Sequence, residues 1–110
     1  MKEFLQVAAV LIEHPESNEA FYRSAISRQY YALFNLARER LGIDDETADA
    51  HRLVAEQIKA KNSRAGAYLS RLRILRNDAD YLRINSNWQT VARFHQGMSE
   101  SMAKTIQALK

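Results

Sequence analysis

RLRILRNDADYLR, residues 71 to 83, sets four arginines, two aspartates and a tyrosine among leucines and an isoleucine. Leu72, Leu75, Ala79 and Leu82 recur at helical spacing, and Tyr68 extends the row backwards, so one side of this segment suits a core. Arg73, Arg76, Asp80 and Arg83 fall on a neighbouring row that begins at position 69, which makes a polar stripe beside the apolar face. A helix that is seated on one side and strongly charged on the other needs partner helices to cover it. The rest of the chain supplies them.

Working outward from this segment, Ser63 is expected to cap its helix, after a break at Lys61-Asn62-Ser63. A preceding helix is expected over about Thr47 to Ala60, with Asp44, Asp45 and Glu46 placed favourably against its dipole. Before that, a long helix runs from a cap at Ser17 or Asn18 to about Leu41, with Phe21, Ile26, Tyr30, Leu33, Phe34, Ala37 and Leu41 on its apolar face and Gly42 as its stop. The first helix covers about Lys2 to Glu13, with Phe4, Leu5, Ala8, Leu11 and Ile12 aligned, and Pro15 ends it. On the other side, Ser86-Asn87-Trp88-Gln89 reads as a capping box in which Ser86 and Gln89 bond reciprocally. The last helix then aligns Val91, Phe94, Met98, Met102, Ile106 and Leu109. Short connections and no repeat or linker give the expected fold: all-α, an up-and-down antiparallel bundle of about five helices in one domain, residues 1–110.

Composition agrees. The 110 residues are 46% hydrophobic and 26% charged, which suits a globular chain, and three glycines with one proline are too few for an all-β domain. The absence of cysteine excludes disulfides and thiolate zinc sites, and a reducing cytoplasm is the expected compartment. The apolar run near the start is too short to span a membrane and lacks a small-residue cleavage site, so no membrane association is expected. The net charge of +3 is unevenly spread: residues 1–58 carry −4, residues 59–83 carry +5 and the remainder +2. Such a basic segment fits either a phosphate-binding surface or a solvated helix face.

Sequence motifs for metal, cofactor or hydrolase chemistry are absent: there is no Gly-rich phosphate loop, HExxH pair, EF-hand loop or GxSxG elbow. No cofactor and no metal are expected. His14, His51 and His95 are far apart and read as helix-end or surface histidines. The stripe offers two readings. In one, Arg76 and Asp80 form only an i,i+4 ion pair; in the other, Asp80 holds Arg76 so that its guanidinium fork meets a phosphate. Tyr30, Tyr31 and Phe34 at helical spacing read first as core.

Two blocks carry a family likeness. RSAISRQYYALFNLAR, from Arg23 to Arg38, then His51, then LRILRNDADY at residues 72 to 81, resembles the HEPN family, in particular its small single-domain branch often found beside minimal nucleotidyltransferases. The matching positions are Ala25, Ile26, Ser27, Arg28, Tyr30, Tyr31, Ala32 and Phe34 in the first block and Arg76, Asn77, Ala79, Asp80 and Tyr81 in the second. The likeness covers about Ser17 to Leu109. His51 falls where that branch often has a histidine after the second helix, with local hydrogen bonding at a helix start as its expected role.

The resemblance implies a homodimer whose arginine-bearing helices meet at a cleft, a nucleotidyltransferase as partner in a toxin–antitoxin-like pair, and RNA or a nucleotide as ligand. Many members are metal-independent ribonucleases in which an arginine, followed four to six residues later by a histidine, promotes attack by the RNA 2′-hydroxyl. The arginine carries over to Arg76 and its polar neighbour to Asn77. The histidine does not, because positions 80, 81 and 82 are Asp, Tyr and Leu. An aspartate of ordinary pKa near ~4 is a poor acid at neutral pH and repels phosphate, and a tyrosine of pKa about 10 is a weak base. Candidate catalytic residues are therefore Arg76, Asp80 and Tyr81, and candidate nucleotide- or RNA-binding residues are Arg73, Arg76, Asn77, Arg28 and Tyr31, with Ser27 beside them. In the partner relation the resemblance implies, Tyr81 corresponds to the tyrosine that receives adenylate. A non-standard ribonuclease and a non-catalytic adaptor bundle are the alternative readings.

Overall fold

In the computed structural model, the described residues are 2–14, 18–44, 49–80 and 87–109. They form five helices: α1 (Lys2–Glu13), α2 (Glu19–Leu41), α3 (Ala50–Lys61), α4 (Ser63–Asp80) and α5 (Trp88–Gln107). Pro15, Ser17, Asp45, Glu46, Thr47, Tyr81, Leu82, Arg83, Asn85 and Ser86, to which the sequence reading gave roles, lie outside the described residues.

Asparagines start three of these helices. Asn18 Oδ1 accepts from the Phe21 amide at 3.2 Å, Asn62 Oδ1 from Ala65 at 3.0 Å, and Asn87 Oδ1 from Thr90 at 3.0 Å. Two expectations are corrected here. The cap of α4 is Asn62, not Ser63, which is already the first helical residue; the cap of α5 is Asn87, one position after the expected Ser86, whose own bonding lies outside the described residues. Asparagine and serine cap about equally well, so local sequence alone did not choose between adjacent candidates. Gly42 ends α2 at φ 68°, as its position suggested, and its amide reaches back to the Arg38 and Glu39 carbonyls.

The fold is an all-α bundle built on α2, which packs against all four other helices. Successive members of the set α1, α2, α4 and α5 run antiparallel, with α3 inserted between α2 and α4. Consequently α2 and α5 share a direction: Gln29 Nε2 donates to the Ala92 carbonyl at 3.0 Å, and further along Arg40 Nε donates to the Leu109 carbonyl at 2.7 Å. One core cluster joins Tyr30, Leu33, Phe34, Val54, Ile58 and Leu72 to Ile106; a second joins Ile12, Ile26, Ala79, Trp88 and Ala92. Leu75 packs against both. Each large apolar side chain so buried stabilises the fold by about 1.5–3 kcal/mol. At Gly66 the backbones of α3 and α4 come so close that an added Cβ would lie 2.5 Å from Lys59 Cα.

The buried stripe of α5 is Trp88, Ala92, His95, Ser99, Met102 and Ile106, with Met98 half-buried. Phe94, expected on the apolar face, is 61% exposed. Ala92 and Ser99 face inward because small residues let α5 approach α2 closely, and the helix turns Phe94 out. His95, expected at the surface, is buried and bonded to Tyr68 Oη through Nδ1 at 2.7 Å, with Ser99 Oγ 3.4 Å from the same hydroxyl. A polar group in this position is tolerated because it has a partner.

Candidate phosphate-binding site

The α2–α4 interface places Arg76 against the two tyrosines of the YY pair. Its guanidinium carbon lies 5.4 Å from the Tyr30 ring centroid and 5.3 Å from that of Tyr31. Nη1 donates to Tyr31 Oη at 3.1 Å and to Asp80 Oδ2 at 3.3 Å. The Arg76 side chain is 16% exposed and that of Asp80 41%. The ion pair forms as the i,i+4 spacing requires, but on a half-solvated carboxylate it contributes only a few tenths of a kcal/mol, roughly. The rings and the hydroxyl do more to fix the guanidinium, and they hold it against aromatic faces that favour a cation. Its Nε is buried with no hydrogen-bond partner.

Two hollows lie beside the tyrosines that seat Arg76, which itself lines neither. One, of about 370 Å³, lies between α2 and α4 and is lined by Ser27, Arg28, Tyr31 and Asp80. The other, of about 420 Å³, lies between α3 and α4 and is lined by Tyr30, His51, Arg73 and Asn77, with Lys59 and Arg52 at its edge. The candidates from sequence therefore separate into two groups: Arg28, Tyr31 and Asp80 on one side, Arg73 and Asn77 on the other, with Arg76 between them. Tyr81 and Arg83 lie outside the described residues.

The charges in these hollows are differently committed. Arg52 is held by Asp49 at 2.7 Å and Glu56 at 2.9 Å, so its charge is already answered. Arg73 and Arg28 pair with no carboxylate among the described residues, and Arg73 Nε is buried without a partner. Planar, permanently charged donors left open in a concave surface suit a phosphate oxygen better than a neutral ligand.

His51, like His95, has a role that the sequence misjudged. Its bond is not local to the start of α3: Nδ1 lies 2.5 Å from Tyr30 Oη on α2, and the ring stacks on Phe34 with centroids 4.2 Å apart. Burial, then Arg73, Arg76 and Arg38, hold its pKa below the usual histidine range, so the ring is neutral near pH 7. Burial pushes the Tyr30 hydroxyl up to about 12 despite Arg73 and Arg76, so it keeps its proton. No spacing rule links residues 30 and 51; only the packing of α3 onto α2 brings them together.

Among the described residues, no group of three His, Asp or Glu side chains could hold a metal ion, and no helix is long and apolar enough to cross a membrane. Comparison with protein-family models, with curated proteins and with solved structures finds no match for the chain.

Proposed function

We propose that this chain is a HEPN-like domain that acts as a homodimer in a toxin–antitoxin-like pair with a minimal nucleotidyltransferase, and that Arg76 is the phosphate-binding centre of a cleft for RNA or a nucleotide. The observation that carries the reading is the seat of Arg76, a nearly buried guanidinium resting on two tyrosine rings and flanked by the uncommitted cations Arg73 and Arg28. A cation whose only task was to neutralise Asp80 would not need that seat, nor two further arginines beside it. The basic charge of residues 59–83 supports the same ligand class. The family likeness of the two blocks supports the dimer and the nucleotidyltransferase partner.

Amide chemical-shift mapping with a short single-stranded RNA tests the site. Shifts concentrated at residues 27–31, 51–55 and 73–80 support it; shifts confined to α1 and the far face of α5, or none at low salt, rule it out. A second reading, a helical adaptor in which Arg76 serves packing alone, draws on the Arg76–Asp80 ion pair. That reading requires no salt-sensitive anion binding at all.

A further inference from the structure

Resting on the phosphate-site reading of Arg76, we propose that the hollow between α3 and α4 is a second phosphate subsite of the same ligand, in which His51, held on the Tyr30 hydroxyl, donates from Nε2 to the anion beside Arg73 and Asn77. The sequence left the Arg76 motif without a histidine; the fold brings one to it from a different helix of the same chain.

The geometry is specific. Nδ1 is engaged by Tyr30, the ring is clamped on Phe34, and Nε2 hydrogen-bonds no described residue. Tyr30 stays protonated and can donate to Nδ1, which leaves the imidazole proton on Nε2; an anion in the hollow favours that tautomer. Arg73 supplies the open charge and Asn77 a neutral amide at the same wall. Arg52 at the edge is answered by Asp49 and Glu56 together, so that trio adds no positive charge to the hollow. Tyr30 lines this hollow and Tyr31 the other, and Arg76 rests on both rings, so the two hollows are neighbours across one guanidinium.

Protonation of His51 follows as a consequence. The charged and titratable groups that act on the ring are Tyr30 and Arg38 from α2 and Arg73 and Arg76 from α4, while Arg52 and Glu56 share its hollow along α3. The nearby arginines oppose a proton on the imidazole, and an anion bound among them removes that opposition. Binding and proton uptake are therefore coupled, and a phosphodiester, whose own charge is constant above pH 4, binds more tightly as the pH falls.

The test uses the full chain and a rhodamine-labelled oligouridylate of six residues at low salt, titrated by fluorescence anisotropy between pH 8 and pH 5.5. The wild type gains about fivefold or more in affinity over that range, each unit of ligand-induced pKa change being worth tenfold. His51→Gln, whose amide takes up no proton in this range, loses most of the pH-dependent gain. A direct readout needs no variant: the His51 ring pKa, followed by NMR, rises when the RNA is added. RNA binding that is weakened by Arg76→Ala but has the same pH profile in His51→Gln, or an unmoved His51 pKa, overturns this subsite and leaves the Arg76 reading intact. No binding by the wild type overturns both.

Discussion

Arg76 Nη1 donates to Tyr31 Oη at 3.1 Å, joining α4 to α2 across 45 residues of sequence. The bond ties Arg76 to the second tyrosine of the YY pair and fixes which way the guanidinium faces. Tyr31→Phe removes the acceptor and keeps the ring. The expected cost is about 0.5–1.5 kcal/mol of stability, read from the midpoint of urea unfolding. RNA affinity falls less than in Arg76→Ala, because the cation remains on its aromatic seat.

Gly66 marks the closest approach of α3 to α4, where an added Cβ meets Lys59 backbone atoms at 2.5 and 2.6 Å. Gly66→Ala forces the two helices apart and is expected to cost about 1–3 kcal/mol. Gly97→Ala, in a helix where nothing lies within 4 Å of the new Cβ, is the control. It gains roughly 0.5–1 kcal/mol from helix propensity. Thermal unfolding of the two variants separates close packing from propensity.

His51 and His95 both have pKa values held below the usual histidine range, chiefly by burial, with arginines adding to the effect. The unfolded chain then binds more protons than the folded one once the pH drops below about 6.5. Their contribution to stability is therefore complete above that pH and is lost as the pH falls through the unfolded and then the folded value. The unfolding temperature should decline from pH 7.5 to pH 5.5, and His95→Gln, which keeps a polar partner for Tyr68, should shallow the decline. A profile identical to the wild type would mean that His95 titrates as if solvated.

Arg28 and Arg73 stand in different hollows on either side of Arg76. If each answers a phosphate, Arg28→Ala and Arg73→Ala both weaken single-stranded RNA and each reduces the slope of log affinity against log salt by about 0.7. A change in affinity without a change in slope would assign the residue to structure instead.

The bundle was legible because helical periodicity and asparagine or glycine boundaries are local signals. α1 and α2 fall where Phe4, Ala8 and Ile12, and Ile26, Tyr30 and Leu33, place them. The Arg76–Asp80 pair was equally legible, being set by spacing along one helix. Contacts that depend on how helices pack left no local trace. Tyr30 with His51 and Tyr68 with His95 are 21 and 27 residues apart, and a histidine that finds a buried hydroxyl reads in sequence like any surface histidine. Phe94 was misplaced for the same reason: periodicity admits position 94 or 95, and the buried Tyr68 hydroxyl selects His95.

The role proposed for Arg76 is to bind a phosphate through its guanidinium. The most direct measurement is the affinity of the wild type, Arg76→Ala and Arg64→Ala for a short single-stranded RNA at low salt. Arg64→Ala removes the same charge from an exposed position at the start of α4. A loss of about tenfold or more is expected in Arg76→Ala and of less than about threefold in Arg64→Ala, since a charge-assisted bond to a seated arginine is worth about 1.5–3 kcal/mol. Equal losses in the two variants, or a wild type that binds no RNA, would contradict it.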